Sequence, residues 1–336
     1  MDIGLIGYGG VAKEFIRLLL DKENYLEKLG FKIKVKYIIR SSGGIYVEEG
    51  INLKEIISLG DKLNYHSKFR EDIDIETIIK NKDVDTLVEL TNTNLENGEP
   101  GLSHIKKALE NKINIVTGNK GPIVLKYKEL KEIAYKNNVK LLIGCTTGGA
   151  LPTLNAGTYD IAGAEVLKIE GILNGTSNYI LTEMYENNLN YKIALEKAIE
   201  EKIVEKNYSY DVEGYDTASK MLIISNALLD TNLTLEDIEI EGITKLTRER
   251  ILEEKLKGNR PKLIGTIIKK NNKIEAKVKL EFIDKNHKLY FIDGKDKGIC
   301  YYTDTLGEIL IAGGASGTRN AAASVLRDIV NMGIIR

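Results

Sequence analysis

The chain has 336 residues, 43% of them hydrophobic, and its 48 basic residues nearly balance 49 acidic ones, leaving a net charge of -1. This length predicts two or three compact units, and the hydrophobic fraction excludes large-scale disorder. The balanced charge argues against nucleic acid or an anionic membrane as the main partner, because both need an excess of basic residues.

The N-terminus and the cysteines indicate a cytoplasmic protein. Asp2 and a glycine turn follow Met1 directly, unlike a signal peptide, and no apolar run approaches the ~20 residues that span a bilayer. Cys145 and Cys300 are far apart in sequence and fit neither a disulfide framework nor a CxxC site. The histidines show no metal-ligand spacing, so lysines or carboxylates would carry any acid–base chemistry.

The first 150 residues alternate strands with helices, a pattern typical of a parallel sheet covered on both faces. Lysines interleaved with the apolar residues are interpreted as solvated faces. The predicted strands are Ile3–Ile6, Phe31–Ile39, Asp85–Leu90, Ile113–Val116 and Lys140–Ile143, and the predicted helices follow Gly10, span Leu102–Leu109 and follow Pro122.

From about residue 150 the pattern becomes mixed. The predicted strands are Val166–Leu173, Lys262–Ile268, Ile274–Phe282 and Lys288–Ile292. The predicted helices begin at Gly175, span Tyr191–Ile203 and Tyr215–Leu229, and continue as charged helical sequence to about Leu256; a glycine-rich loop at 313–317 precedes a last helix, Asn320–Val330.

The turn after the first strand matches the dinucleotide-binding pattern G-x-G-x-x-G/A, with Gly7, Gly9 and Ala12 at its three positions. The first glycine permits the tight turn, and the second lets the main chain approach a pyrophosphate at the helix N-terminus. A simple connecting turn is the alternative. The context, with a second strand at the correct distance, favours cofactor binding by Gly7, Gly9, Gly10 and Val11.

The end of the second strand indicates which dinucleotide is preferred. A site selective for NAD usually has an acidic residue there, whereas this chain has Arg40, Ser41 and Ser42. A guanidinium followed by hydroxyls suits a 2′-phosphate, although a solvent-exposed arginine is the alternative. We therefore predict NADP as the preferred cofactor, with NAD as the other possibility.

Two further segments combine charge with an unusual backbone. Lys120 follows a predicted parallel strand, at the edge where such sheets bind ligands, although it could be a solvated loop residue. Asp216 and Lys220 are four residues apart and share one helix face. An exposed pair would contribute only a few tenths of a kcal/mol, but this helix is apolar nearly all round. Burying an ion pair costs free energy, so a buried pair of Asp216 and Lys220 would indicate a functional role.

Several motifs, in order over essentially the whole chain, resemble homoserine dehydrogenase. The length is similar to the minimal form of that family, without an aspartate kinase fusion or an ACT domain. The motifs are Glu89-Leu90-Thr91, Lys120 in a Thr-x-Asn-Lys-Gly-Pro run, the segment from Asn174 to Ile180, the carboxylates from Glu205 to Asp216 with Lys220, and the Tyr302–Gly307 stretch.

The resemblance implies reversible reduction of L-aspartate 4-semialdehyde to L-homoserine by NAD(P)H, in threonine, methionine and isoleucine biosynthesis. Lys220 would exchange the proton of the reacting oxygen, because a nearby ammonium stabilises the negative charge that hydride transfer creates. Lys120 would contact substrate and cofactor, and Asp216 would hold the lysines or the substrate. The remaining implied residues are Glu205, Asp211, Gly175 and Thr176 for substrate, and Thr91 and Gly317 for cofactor.

The resemblance also implies an α/β fold: an N-terminal Rossmann dinucleotide-binding domain (1–147), a mixed α+β substrate and dimerisation region (148–312), and a C-terminal loop and helix (313–336) that returns to the nucleotide domain. Relatives are typically homodimers, and the strands near 262–292 would form the interface. Some relatives bind sodium through carbonyls at the positions of Gly144, Thr147, Gly149 and Leu151. These positions are therefore a possible sodium site here, although the glutamate usual at the position of Gly144 is missing.

Two other functions compete with this one. A related enzyme such as an aspartate dehydrogenase would not need the helix with Asp216 and Lys220. A non-catalytic regulatory protein that binds NADP(H) would not need both lysines and the carboxylates. A turnover assay with homoserine distinguishes all three.

Overall fold

A computed structural model describes residues 1–204, 208–270 and 273–334. The chain divides into two compact units, one formed by Met1–Thr146 with Gly317–Arg336 and the other by Thr147–Ser316. Helices and strands alternate in the first unit and a mixed sheet organises the second, which confirms the predicted α/β class. Among the described residues, every helix is too short or too polar to cross a membrane.

The strands form one sheet in each unit. Within the described residues they are β1 (Asp2–Ile6), β2 (Lys34–Arg40), β3 (Gly43–Tyr46), β4 (Phe69–Arg70), β5 (Thr86–Glu89), β6 (Asn114–Thr117), β7 (Leu141–Leu142), β8 (Val166–Ile172), β9 (Ile238–Ile240), β10 (Arg260–Lys270), β11 (Lys273–Ile283), β12 (Lys297–Thr303) and β13 (Glu308–Gly313).

The helices lie mostly between the strands. Within the same residues they are α1 (Gly10–Asp21), α2 (Glu23–Lys28), α3 (Leu53–Leu59), α4 (Ile75–Asn81), α5 (Gly101–Glu110), α6 (Lys120–Lys136), α7 (Cys145–Gly148), α8 (Thr153–Asn155), α9 (Gly175–Glu186), α10 (Tyr191–Glu200), α11 (Ser209–Val212), α12 (Tyr215–Leu228), α13 (Arg248–Leu256) and α14 (Thr318–Ile334). Leu63–Tyr65 and Leu235–Asp237 form 3-10 turns, and Ala156–Asp160 forms a π turn.

The sheet of the first unit has the order β4-β3-β2-β1-β5-β6-β7. Strands β2, β1, β5, β6 and β7 are parallel, whereas β3 and β4 are antiparallel additions at one edge. Helices α1 and α14 share one apolar core with this sheet, in which Phe15 and Val325 are fully buried. The parallel strands place the ends of β1, β5 and β6 at one edge, where ligands bind in open sheets.

The sheet of the second unit has the order β13-β12-β8-β10-β11-β9, antiparallel except for β9 and β11. Helix α12 packs closely on β10, because a Cβ at Gly265 would lie 2.4 Å from Met221 Cγ. This packing fixes α12, which carries Asp216 and Lys220, on the sheet.

Two sequence predictions in the second unit are wrong. The segment Lys288–Ile292 is not a strand; Leu289 and Ile292 turn inward from a loop and pack with Ile172 and Ile264. The apolar spacing there reflects this packing and not a pleat. The charged sequence before Leu256 is also not continuously helical, because β9 interrupts it.

The alternating pattern predicted that the lysines of β2 are solvated, and for one of them this is wrong. Lys36 is buried, because β2 is an inner strand of the sheet. Its Nζ lies 3.0 Å from Asp2 Oδ2 and 3.8 Å from Asp83 Oδ2. The hydrogen bond to Asp2 raises the pKa of Lys36, which keeps this buried ammonium charged.

Glu170 on β8 is a buried carboxylate with three donors around it. Tyr302 Oη donates to Oε2 at 2.6 Å, Lys168 Nζ lies 2.6 Å from Oε1, and His287 Nε2 lies 3.4 Å from Oε2. Burial alone would raise the pKa of Glu170, but hydrogen bonds from His287, Lys168 and Tyr302 outweigh it and lower the pKa to about 2.

This carboxylate predicts a pH-dependent contribution to stability. Because the folded-state pKa lies below the usual 4.5, the contribution is complete above that value and is lost as the pH falls toward 2. Glu170→Gln should therefore lower the free energy of unfolding at pH 7 by about 3 kcal/mol, and the difference should shrink below about pH 4. Urea unfolding across this range measures it. Glu165→Gln, at an exposed ion pair with Lys269, is the matched control; a difference for Glu170→Gln that does not vary with pH would contradict the prediction.

Candidate functional site

The glycine turn connects β1 to α1 with a backbone that needs glycine at Gly7. Gly7 has φ of 94°, and an added Cβ would lie 2.4 Å from the carbonyl carbon and oxygen of Leu90. At Gly9, by contrast, an added Cβ would meet no atom within 4 Å. Gly9 precedes the first turn of α1, so the open space lies at the positive end of a helix.

A cavity of about 740 Å³ opens beside this turn in the first unit. Its walls include five of the predicted cofactor residues, namely Gly7, Gly9, Arg40, Ser41 and Thr91. Asp61, Asp74 and His104, which the sequence analysis did not single out, also line it. Gly10 and Val11 form the first turn of α1, and Gly317, with φ of 121°, precedes α14.

Arg40 lies in a small charged group at one part of this cavity. Its Nη1 donates to the main-chain oxygen of Asp61 at 3.4 Å, and the carboxylate of Asp61 forms an ion pair with Lys13. The hydrogen bond from Lys13, with a smaller effect of Arg40, lowers the pKa of Asp61. Lys13 was not predicted as a site residue. It lies one helical turn after Gly9, so its position at the N-terminus of α1 could have indicated it.

A buried carboxylate connects the ends of β5 and β6. Glu89 is fully buried and accepts hydrogen bonds from Thr91 N at 3.0 Å and Thr117 Oγ1 at 3.1 Å. Asn119 donates through Nδ2 to Thr91 Oγ1 at 3.2 Å, and its Oδ1 caps the helix that begins at Lys120. The network therefore fixes the main chain that carries Thr91 and Lys120.

In the second unit, Asp216 and Lys220 form the ion pair that their spacing predicts. Both are on α12; Asp216 is buried and the side chain of Lys220 is only 16% exposed. Lys220 Nζ donates to Asp216 Oδ2 and to the carbonyl oxygen of Leu173, the latter at 2.8 Å. A carboxylate and a carbonyl thus hold one ammonium in place, as proton transfer by a lysine requires.

Asn174 joins this pair to Asp211, a connection the sequence analysis missed. Its Nδ2 donates to Asp211 Oδ1 at 2.7 Å and to Asp216 Oδ2 at 2.8 Å. Its Oδ1 accepts from Ser177 N at 2.8 Å and so caps α9. The only sequence signal was an asparagine directly before a predicted helix, which is typical of a cap.

The other predicted substrate residues are Gly175, Thr176 and Glu205. Gly175 and Thr176 form the first turn of α9, and a Cβ at Gly175 would lie 2.9 Å from the Lys295 carbonyl oxygen. Glu205 lies outside the described residues. Gly175 is therefore a position of close main-chain approach.

The loop suggested for sodium accepts a hydrogen bond from a buried lysine of β12. Thr147, Gly149 and Leu151 belong to it, and Lys297 Nζ donates to the Gly148 carbonyl oxygen at 2.8 Å. Lys297 itself is buried, with 5% of its surface exposed. No group of three or more histidine, cysteine or acidic residues that could hold a metal occurs in the described part of the chain.

Comparisons with known proteins agree over the whole chain. The model of the homoserine dehydrogenase NAD-binding domain matches residues 7–144, and the homoserine dehydrogenase model matches residues 152–330. A homoserine dehydrogenase of Methanocaldococcus jannaschii is 37% identical over 99% of this chain and 98% of its own length. An NAD(+)-dependent homoserine dehydrogenase of Pseudomonas canavaninivorans is 30% identical over 98% and 95%.

Solved structures show the same fold. A crystal structure of a homoserine dehydrogenase from Thiobacillus denitrificans superimposes with a TM-score of 0.85 at 25% identity, covering 99% of this chain and 73% of that one. One from Staphylococcus aureus gives 0.79 at 26% identity, covering 99% and 76%.

Proposed function

Because this chain belongs to the homoserine dehydrogenase family, we propose that the cluster of Lys220, Asp216, Asn174 and Asp211 is its catalytic and substrate-binding centre. The protein is an oxidoreductase with an NAD-binding domain, and its reaction interconverts L-homoserine and L-aspartate 4-semialdehyde. The observation that supports the assignment is the Lys220 side chain, largely buried and held by the Asp216 carboxylate and the Leu173 carbonyl, with Asn174 connecting Asp216 to Asp211.

The first unit fits a dinucleotide. The strained turn at Gly7, the open space at Gly9 and the cavity along Arg40 and Thr91 are what a pyrophosphate at a helix N-terminus needs. When bound, the nicotinamide supplies the hydride in reduction and accepts it in oxidation. The network around Glu89 keeps Thr91 and Lys120 in position for it.

Lys220 would exchange the proton of the reacting oxygen. In the reduction, its ammonium stabilises the negative charge on the former aldehyde oxygen and donates a proton to it. In the oxidation, the neutral amine accepts the hydroxyl proton. Asp216 and the Leu173 carbonyl orient the Nζ, and Lys120 would assist as a second positive group.

The two charged groups of the amino-acid substrate would bind to different parts of the site. Asp211, Asp216 and Glu205 suit the substrate ammonium. The main-chain N–H groups at the start of α9, at Gly175 and Thr176, suit the substrate carboxylate, because a helix N-terminus favours anions.

We also propose that NADP is preferred over NAD, on the basis of Arg40, Lys13 and Ser41. Arg40→Ala should lower the ratio of kcat/KM for NADP to that for NAD by about ten-fold or more, because a charged hydrogen bond to the 2′-phosphate is lost. Steady-state kinetics with both cofactors measure the ratio. Arg70→Ala removes an equal charge at an exposed ion pair with Asp72 and should leave the ratio unchanged. An unchanged ratio in Arg40→Ala would refute the role of Arg40.

Sodium receives no part in this reaction. The carbonyls at Thr147, Gly149 and Leu151 lie in the loop whose Gly148 carbonyl already accepts a hydrogen bond from Lys297 Nζ, so the lysine occupies space that a sodium ion would need. The residues therefore do not fit the ion well.

The protein is further proposed to be a homodimer formed through the second unit. Strand β10 is an inner strand with both neighbours present, so the expected interface cannot be its edge. The exposed apolar residues of the second unit include Phe291, Leu306 and Leu310, the last on the edge strand β13. Light scattering of Leu310→Lys against wild type tests this assignment, and an unchanged dimer would oppose it.

The reaction itself is tested by mixing purified protein, L-homoserine and either cofactor and recording absorbance of the reduced nicotinamide. Turnover with homoserine but not with L-aspartate supports the proposal. Turnover with aspartate alone would indicate an aspartate dehydrogenase, and cofactor binding without turnover would indicate a regulatory protein.

A further inference from the structure

Asn174 contacts both aspartates of the proposed catalytic cluster, and the proposed reaction has not yet given it a role. It is 6% exposed and lies where β8 passes into α9. Each hydrogen of its Nδ2 is directed to a different carboxylate, Asp211 at 2.7 Å and Asp216 at 2.8 Å. The preceding residue, Leu173, contributes the carbonyl that holds Lys220.

The orientation of the amide is determined by the helix cap. Because Oδ1 accepts from Ser177 N at 2.8 Å, the amino group must face the carboxylates. A flipped amide would bring its oxygen against two negatively charged groups and would lose the cap. The side chain is thus held at both ends.

The charges of this cluster explain why a neutral donor is needed. Asn174 brings two carboxylates together, a buried one at Asp216 and a partly buried one at Asp211, and neighbouring like charges disfavour the ionised form of a carboxyl. Hydrogen bonds to the ionised form act in the opposite direction and favour it. An amide supplies two such bonds without adding a charge.

We propose that Asn174 is a positioning residue, which keeps Asp211 and Asp216 ionised and directed at the ammonium group of an amino-acid substrate. This inference rests on the proposed function. The ammonium of the substrate would add an opposite charge beside these carboxylates, so an alcohol that lacks an amino group should be a poor substrate.

Asn174→Asp tests the proposal, because aspartate caps a helix as well as asparagine does and therefore keeps the bond from Ser177 N. It replaces two donors by a third carboxylate. KM for L-homoserine should rise by about ten-fold or more. The pH profile of kcat/KM should also move upward by about one unit, since an added negative charge favours the protonated forms of the groups around it.

Asn174→Ser tests the loss of the two donated hydrogen bonds without adding a negative charge. Serine still caps α9 but is too short to bridge two carboxylates, so KM should rise while the thermal unfolding temperature stays near that of wild type. Asn190→Asp is the matched control: Asn190 caps α10 through the same type of bond, to Ile193 N at 2.9 Å, on an exposed surface.

Four outcomes are possible. A raised KM and a shifted pH profile in Asn174→Asp, with Asn190→Asp unchanged, support the proposal. Wild-type KM and pH profile in both Asn174 variants would overturn it, and so would activity lost only in proportion to stability. Absence of homoserine turnover in the wild type would refute the proposed function instead.

Discussion

Lys220→Met should lower kcat for homoserine oxidation by roughly a thousand-fold, because the reaction loses its general base. The dinucleotide affinity should stay at the wild-type value, since the glycine turn and Arg40 belong to the first unit. Steady-state rates and a fluorescence titration of the reduced cofactor measure the two quantities. The methionine is similar in length and uncharged, so the variant removes the proton-transferring group and little volume.

Two controls keep this result interpretable. Lys197→Met makes the same change at a partly exposed ion pair with Glu183 and should retain full activity. Lys220→Met combined with Asp216→Asn also neutralises the carboxylate that pairs with Lys220, so any stability lost in the single variant should recover while activity does not. A Lys220→Met protein that keeps even a tenth of the wild-type kcat would show that another group transfers the proton.

Gly7→Ala should destabilise the first unit by roughly 3 kcal/mol or more and abolish tight cofactor binding. An added Cβ would lie 2.4 Å from the Leu90 carbonyl and 2.7 Å from Thr91 N, both of which are main chain. The positive φ of 94° adds strain in any residue with a side chain. Urea unfolding gives the stability change, and calorimetric titration gives the affinity.

Gly9→Ala separates the effect on cofactor binding from the effect on stability. Its added methyl group meets no protein atom within 4 Å, so the folded protein should keep the stability of wild type. The methyl group would nevertheless occupy the space through which a pyrophosphate approaches the helix. Weaker binding without a stability change is expected. Wild-type affinity in Gly9→Ala would argue against a pyrophosphate at this turn.

The sequence predicted those features of the fold that depend on local periodicity. The α/β class, the alternation of strands and helices before residue 150 and the antiparallel pair at Arg260–Ile283 are confirmed. The strand predicted at Lys288–Ile292 was wrong, because its apolar side chains fill a core from a loop. The prediction that Lys36 is solvated was wrong for a similar reason. Lys36 can be buried because Asp2 and Asp83 pair with it, and both are remote from it in sequence.

The candidate site shows the same limit. The pairing of Asp216 with Lys220 follows from four residues of helix, so spacing alone predicts it. The bonds from Asn174 to Asp211 and Asp216 cross 37 and 42 residues, and the pair of Lys13 with Asp61 crosses 48. No periodicity encodes such contacts; they exist only because β8, α11 and α12 converge, or because α1 lies beside the loop after α3.

Isotope transfer tests the central claim most directly. L-aspartate 4-semialdehyde would be reduced with a dinucleotide that carries deuterium at the transferable position, and the L-homoserine formed would be analysed by mass spectrometry. We predict one deuterium on the alcohol carbon from the labelled cofactor and none on that carbon when the deuterium is supplied by heavy water. Solvent deuterium on the alcohol carbon, or semialdehyde left unreduced, would contradict hydride transfer by this protein.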